Sequence, residues 1–181
     1  MGMSVRASGI NEQNLDQDKA IWSEMYQDNM PRIYNYFRYR LQNDQVAEDL
    51  TAVTFEKAWR QRSRYQKKRA TMTTWLFAIA KNVAIDYLRR SKPEVAVDES
   101  IPANTQPLED RVQQKENLDQ LATLLDGLSE REAEIIALKY GAGLTNREIA
   151  RVTNLSSANI GIILFRTVRQ LHRQWETFDE R

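Results

Sequence analysis

The sequence contains no cysteine and only one histidine, His172. The absence of cysteine excludes a disulfide framework and a cysteine-based zinc site. A single histidine gives no basis for a metal centre or a histidine-dependent acid–base pair, and no nucleophile–base pair or glycine-rich phosphate loop is recognisable. We therefore expect no metal, no cofactor and no enzymatic activity, and we interpret His172 as a surface residue.

Long apolar runs are also missing. The longest runs, at 75–80 and 160–165, are far shorter than the ~20 residues that cross a bilayer. No signal peptide opens the sequence, and Arg6 stands where a myristoylation motif has Ser or Thr. We expect a cytoplasmic protein without membrane insertion.

The small net charge of +1 conceals a strong segregation of charge along the chain. Residues 31–92 hold 14 basic and 5 acidic side chains, whereas residues 93–126 hold 2 basic and 8 acidic ones. Like charges at this density repel one another unless a partner compensates them. The pattern is typical of a polyanion-binding domain followed by an acidic connector.

Apolar residues recur with helical spacing, and no strand-like alternation of useful length is present. The sequence therefore predicts an all-α protein of two small helical domains. Three prolines among acidic and small residues mark a flexible acidic linker between them. The expected boundaries are a flexible tail at 1–18, a first domain at 19–92, the linker at 93–107 and a second domain at 108–181.

The first domain should contain four helices. The first two are expected to be interrupted at Pro31, and the third, at about 44–60, to be capped by Asn43 or Asp44. Its expected buried residues are Val46, Leu50, Val53 and Ala58. The segment 61–70 has five basic residues and too little apolar content to form a core, so it should be a loop that lies along phosphates. The residues expected to make these contacts are Arg64, Tyr65, Lys67, Lys68 and Arg69.

The fourth helix, at about 71–92 with Thr71 or Thr73 as its cap, has two unlike faces. One is a core stripe made of Leu76, Phe77, Ala80, Val83, Ala84 and Tyr87. The other carries Trp75, Asn82, Asp86 and Arg89, a set that suits an unstacked base held against phosphates. The alternative is an ordinary helix whose Trp lies at the edge of the core and whose Asp86 pairs with Arg89 or Arg90.

The second domain shows the pattern of a helix-turn-helix unit. A helix at 108–125 should stop at Asp126-Gly127. Capping boxes at 129–132 and 145–148 should open two further helices, with a turn at 141–143 between them and the second ending near 153. Ser156 should cap a last helix that runs to about Phe178. A plain helical hairpin is the alternative to helix-turn-helix.

Two groups of motifs resemble the extracytoplasmic-function (group 4) sigma factors of bacterial RNA polymerase. The first group resembles the family's region 2 and consists of Ala47-Glu-Asp-Leu50, Phe55, Trp59, Trp75-Leu76, Ile79-Ala-Lys-Asn82, Asp86 and Leu88-Arg-Arg90. The second is similar to region 4 and consists of Leu128-Ser129, Arg131-Glu132, Leu138, Tyr140-Gly141, Glu148-Ile-Ala150 and Arg166. Both occur in the family's order, on either side of the acidic linker.

This resemblance implies a promoter-specificity factor that binds core RNA polymerase and promoter DNA. The residues implied for the −10 element are Trp75, Lys81, Asn82, Asp86, Arg89 and Arg90. Those implied for the −35 element are Ser156, Ser157, Asn159, Phe165, Arg166 and Arg169. Those implied for docking on the clamp helices of the largest catalytic subunit are Glu48, Asp49, Leu50, Phe55 and Trp59. The flap of the second largest subunit is a further implied partner, and the family usually has an anti-sigma factor.

The chain departs from the family at two places. Ala52 and Val53 replace a usual polar pair in the docking helix, which weakens that contact or shifts it to neighbouring residues. Gly161, Ile162 and Ile163 replace basic or hydroxyl side chains in the last helix. We therefore expect weak, shape-dependent reading of the −35 element, or help from another DNA-bound protein.

Two other functions fit part of the sequence. A conventional helix-turn-helix regulator that binds duplex DNA without polymerase would explain 127–181 but not the basic first domain. A module that binds only protein partners, as in an anti-sigma partner-switching system, would bind independently of salt.

Overall fold

The computed structural model describes residues 12–91 and 120–179. Every regular element in these ranges is helical, which confirms the all-α prediction. The helices are α1 (Glu12–Leu41), α2 (Asp44–Gln61), α3 (Met72–Arg90), the described part of α4 (120–126), α5 (Glu130–Ile136), α6 (Asn146–Thr153) and α7 (Ser157–Asp179). The predicted linker at 93–107 and the predicted start of α4 lie outside the described residues.

Helix α1 runs without interruption through Pro31, so the predicted break there is wrong. It also begins at Glu12, within the stretch expected to be a flexible tail. Met25, Ile33 and Tyr36 are buried along one side of the helix, on both sides of the proline. Pro31 itself is exposed, and burial of this continuous face outweighs the loss of one backbone hydrogen bond.

Helix α2 is capped by Asn43, whose side chain accepts from the amide of Val46 at 2.9 Å. Its buried residues are Ala47, Thr51, Thr54 and Ala58. Of the predicted set only Ala58 is buried, because Val46, Leu50 and Val53 lie half-buried beside this narrow stripe. Small side chains at this spacing let the backbones approach closely, and both threonine hydroxyls bond to the carbonyl four residues earlier.

Helix α3 is capped by Thr71 and follows the predicted core stripe. Leu76, Phe77 and Ala80 are fully buried, and Val83 and Ala84 nearly so. Tyr87 is half-buried at the end of the stripe. The core face of this helix was therefore predictable from spacing alone.

The second domain contains both predicted capping boxes, at Ser129–Glu132 and at Thr145–Glu148. A π-helical turn, Ala137–Gly141, continues α5 to the start of the predicted turn at 141–143. Asn154 adopts a left-handed conformation with φ of 57° and joins α6 to α7. The Ser156 hydroxyl accepts from the Asn159 amide at 3.1 Å, as its predicted capping role requires.

The two domains lie against each other. Helix α1 contacts α5 and the π-helical turn, and α3 contacts α6. Buried residues of both domains belong to one continuous apolar cluster. In the part of the chain that the structure describes, no helix has both the length and the apolar content needed to cross a membrane.

Candidate nucleic-acid interface

The outer face of α3 places a polar amide beside a carboxylate and two cations. Asn82, Arg89 and Arg90 are exposed. Asp86 lies 3.2 Å from Arg89 and 3.8 Å from Lys57 of α2. The ordinary helix pair of the alternative interpretation is therefore present, but Asn82 lies beside it on the same face and is accessible to a ligand.

Trp75 is half-buried and belongs to an aromatic cluster. Its ring centroid lies 6.4 Å from that of Trp22 and 5.4 Å from that of Tyr65. Trp22 also contacts Trp59, at 5.4 Å. The cluster joins α1, α2, α3 and the basic loop, so Trp75 fixes the position of that loop as well as presenting an aromatic edge.

Lys81 is separated from the other predicted −10 residues. At about 100° per residue it lies on a different side of α3 from Asn82 and Asp86. Its Nζ atom lies 3.4 Å from the carbonyl oxygen of Val152 in the second domain. In this arrangement Lys81 serves the contact between the domains.

The basic segment between α2 and α3 is a short ordered loop. It contains a 3₁₀ turn, Arg62–Arg64, and the Tyr65 hydroxyl donates to the Ala70 carbonyl at 3.2 Å. Four of the five predicted phosphate contacts are exposed, namely Arg64, Lys67, Lys68 and Arg69. The guanidinium of Arg62 stacks 4.0 Å from the ring centroid of Trp59. The loop thus places Arg62 against the aromatic cluster and leaves its other cations exposed.

One face of α2 combines acidic and aromatic side chains. Glu48 and Asp49 are exposed, and Leu50 is half-buried. Phe55 and the exposed Trp59 line an open cavity of about 330 Å³ together with Trp22, Met25 and Tyr26 of α1. Sequence reasoning missed the α1 contribution, since only the fold brings the two helices together.

The last helix, α7, presents an apolar and basic surface. Phe165 is 67% exposed and Ile162 is 51% exposed, which is high for such side chains. Ser156, Ser157, Arg166 and Arg169 are also exposed, whereas Asn159 is half-buried. The opposite side of the helix is anchored by Ile160, Leu164 and Thr167, which are buried. Most of the predicted −35 residues are therefore accessible on one helix.

Two family descriptions match most of the chain. Sigma-70 region 2 matches residues 25–94, and Sigma-70 region 4 matches residues 118–171. A probable RNA polymerase sigma factor of Haemophilus influenzae is 30% identical over 146 residues, which cover 70% of this chain and 75% of the relative. The chain belongs to the sigma-70 family of RNA polymerase sigma factors.

Further relatives of this sigma factor are of the extracytoplasmic-function group. The sigma factor SigM of Bacillus subtilis is 28% identical over 150 residues, covering 82% of this chain and 91% of the relative. BldN of Streptomyces coelicolor is 30% identical over 175 residues, covering 94% of this chain and 66% of the relative. The sigma factor is thus a promoter-specificity factor of transcription initiation rather than an enzyme, and the region 2 match disfavours the conventional regulator.

Solved structures support the same fold. The sigma factor RpoE of Bartonella quintana, in complex with the anti-sigma factor NepR, has a TM-score of 0.68 at 19% identity and covers 86% of this chain and 96% of that chain. CnrH, in complex with the cytosolic domain of CnrY, has a TM-score of 0.67 at 18% identity, with coverage of 88% and 90%. Both likenesses extend over the two helical domains.

The sigma factor also contains a buried polar cluster that the sequence did not suggest. The Tyr36 hydroxyl donates to the two carboxylate oxygens of Glu134, at 3.0 and 3.2 Å. Burial raises the pKa of Glu134, while the hydrogen bond from Tyr36 and the charge of Arg40 oppose that rise. Burial and the Glu134 charge raise the pKa of Tyr36 well above its usual value. This cluster joins α1 of the first domain to α5 of the second.

Among the described residues, no group of His, Cys, Asp or Glu side chains could hold a metal ion.

Proposed function

We propose that residues 19–92 read the −10 element through the outer face of α3. The observation that carries this proposal is the exposure of Asn82 beside Asp86, Arg89 and Arg90, next to a loop of exposed cations. An unstacked base needs hydrogen-bonding groups for its edge and cations for the flanking phosphates. This face supplies both, and Trp75 supplies an aromatic edge at its margin.

The docking surface for core polymerase is the exposed face of α2. Glu48 and Asp49 supply negative charge, and Phe55 and Trp59 supply apolar area beside an open cavity. This combination suits a basic and apolar helical partner, in agreement with the clamp helices of the largest subunit. The flap of the second largest subunit is the corresponding partner for residues 108–181.

Helix α7 enters the major groove of the −35 element. Arg166 and Arg169 are available for phosphates or a guanine edge, and Ile162 and Phe165 for thymine methyl groups. We expect weak discrimination between base pairs, or a requirement for another DNA-bound protein. A base-substitution scan of the element should therefore give small losses of binding free energy. Losses of ~1–3 kcal/mol per base pair would contradict this expectation.

The site of action is the cytoplasm, and an anti-sigma factor is expected as an inhibitor. The complex of the similar sigma factor RpoE with the anti-sigma factor NepR supports the expectation of an inhibitor.

Run-off transcription tests the function as a whole. Purified core RNA polymerase is incubated with fragmented genomic DNA, with and without the sigma factor. New discrete start sites are expected, and their alignment gives both promoter elements. DNA binding without any new start site would contradict the proposal.

The Asn82→Ala variant tests the −10 face specifically. The variant should retain polymerase binding and lose promoter opening, because only the amide contact is removed. Promoter opening is measured by the permanganate reactivity of unpaired thymines. Asn82 is a cleaner target than Trp75, whose removal would also disturb the aromatic cluster. Gln27→Ala, an exposed polar substitution on α1 outside the proposed sites, is the matched control and should leave opening unchanged. Equal losses of opening and of polymerase binding in Asn82→Ala would indicate a structural role instead.

A further inference from the structure

Trp22 of α1 lies between two other tryptophans. Its ring centroid is 5.4 Å from that of Trp59 in the last turn of α2 and 6.4 Å from that of Trp75 in the first turn of α3. The interplanar angles are 82° and 73°, so both contacts are edge-to-face, an arrangement that aromatic rings prefer. Trp22 therefore ties the end of α2 to the start of α3.

The basic loop between α2 and α3 is anchored on the two outer tryptophans. The Arg62 guanidinium stacks 4.0 Å from the ring centroid of Trp59, and its Nη1 atom donates to the Trp59 carbonyl at 2.8 Å. Further along the loop, the ring centroid of Tyr65 lies 5.4 Å from that of Trp75. Both anchors of the loop thus rest on rings that Trp22 positions.

The basic loop depends on these anchors because its other side chains bury little apolar area. Five cations of the loop are exposed, namely Arg62, Arg64, Lys67, Lys68 and Arg69. Like charges at this density repel one another, and a segment with few buried contacts opens locally at a low free-energy cost. The placement of the cations that are to meet phosphates is therefore decided at the aromatic anchors.

Trp22 is not one of the proposed DNA-contacting residues. It is half-buried and precedes residues 25–94, which match Sigma-70 region 2. It also lines the open cavity beside the proposed polymerase-docking face. A loss of promoter opening in a Trp22 variant must therefore be separated from a loss of polymerase binding.

We propose that Trp22 is a positioning residue for promoter opening: its contacts with Trp59 and Trp75 hold the basic loop in the conformation that meets the phosphates of the −10 element. The proposal deepens the proposed function of the −10 surface and rests on it. Trp22→Ala leaves every proposed DNA-contacting side chain in the protein but lets the loop adopt other conformations. Only a fraction of the molecules then presents the loop correctly, and promoter opening falls by that fraction.

Limited trypsin digestion of the full chain tests whether Trp22 holds the loop. Trypsin cleaves after Lys and Arg, so the loop offers five sites, and mass spectrometry distinguishes them from Arg38, an exposed site later in α1. Loss of two aromatic contacts in Trp22→Ala should speed cleavage in the loop at least about fivefold. Cleavage after Arg38 should change less than about twofold.

Two further variants complete the digestion experiment. Trp22→Phe keeps a ring at this position and should return loop cleavage to within about twofold of the wild type. If Trp22→Ala does not fold, as judged by circular dichroism, Trp22→Leu takes its place, because it keeps apolar volume but no ring. Unchanged loop cleavage would overturn the proposal. Equal acceleration in the loop and after Arg38 would also overturn it, since Trp22 would then stabilise the domain as a whole.

Permanganate footprinting tests the effect on promoter opening. It is performed at promoters found by run-off transcription, with enough sigma factor to saturate core polymerase. Trp22→Ala should lower opening at least about fivefold, and Trp22→Phe should largely restore it. Ile21→Ala is the matched control, because Ile21 is a neighbouring exposed apolar residue of α1, and it should leave opening unchanged. If saturation of polymerase abolishes the deficit of Trp22→Ala, Trp22 acts through docking and the proposal is wrong.

The two proposals fail in different ways, which Lys68→Glu distinguishes by reversing the charge of one exposed loop residue. If this variant opens promoters as well as the wild type does, the −10 role of the loop is wrong and the positioning proposal falls with it. If Lys68→Glu impairs opening but Trp22→Ala does not, only the positioning role of Trp22 is wrong.

Discussion

Removal of the Tyr36 hydroxyl group from the contact between the domains should measurably lower the free energy of unfolding. Tyr36 is fully buried, and its ring packs against Phe37 and Phe77 at centroid distances of 5.0 and 6.0 Å. Tyr36→Phe keeps this packing and removes only the donor to Glu134. Loss of a hydrogen bond to a charged acceptor costs about 1.5–3 kcal/mol. At a urea m value of about 2 kcal/mol/M, the midpoint should fall by about 0.7–1.5 M.

The measurement is urea unfolding followed by circular dichroism. Tyr26→Phe is the matched control, because Tyr26 is 48% exposed, and its free energy of unfolding should stay within about 0.5 kcal/mol of the wild type. If Tyr36→Phe also stays within that margin, the hydrogen bond from Tyr36 to Glu134 does not stabilise the contact between the domains.

The loss of unfolding free energy in Tyr36→Phe should also depend on pH. Burial raises the pKa of Glu134, and the Tyr36 hydroxyl opposes that rise, so the variant raises this pKa further. A carboxyl group whose pKa is raised by folding stabilises the folded state at low pH, and this contribution is lost as the pH rises through the folded pKa. The difference in free energy of unfolding from wild type should therefore widen as the pH rises above the ordinary glutamate pKa of about 4.3, and a constant difference would contradict the assigned bond.

Two further predictions concern the capping boxes of the second domain. Thr145→Ala removes the cap on the Glu148 amide and should lower the free energy of unfolding by about 1 kcal/mol; an unchanged urea midpoint would contradict it. Hydrogen bonds from the Ser129 hydroxyl and amide lower the pKa of Glu132, so its stabilising contribution is complete above the ordinary glutamate pKa of about 4.3 and is lost as the pH falls through the folded value. Ser129→Ala should therefore destabilise the protein at neutral pH and less so in acid, and an equal effect at both pH values would refute the assignment.

Local features of the fold could be predicted because their determinants are close in sequence. Both capping boxes of the second domain and the Thr71 cap involve residues three positions apart. The core stripe of α3 follows from helical spacing. Pro31 shows the limit of local reasoning, since a helix that buries one continuous face tolerates a proline that propensity alone would exclude.

Features that depend on distant residues were not predictable. Gly141 belongs to a segment that the sequence marks as a turn, yet its lack of a side chain is needed because Asn35 lies against it. Glu134 looks like any surface carboxylate of a helix until Tyr36, 98 residues earlier, is placed beside it. Of the candidate sites, the exposure of Asn82 on α3 and of Arg166 on α7 was predictable from helical spacing, whereas the displacement of Lys81 toward the second domain was not.

The same separation in sequence has a consequence during protein synthesis. The face of α1 that carries Tyr36 leaves the ribosome 98 residues before its partner Glu134. At about 5–20 residues per second, this gives an interval of about 5–20 s. During that interval the Tyr36 hydroxyl has no Glu134 to accept its hydrogen bond, so the apolar face of α1 that later packs on the second domain is exposed to solvent in every nascent chain.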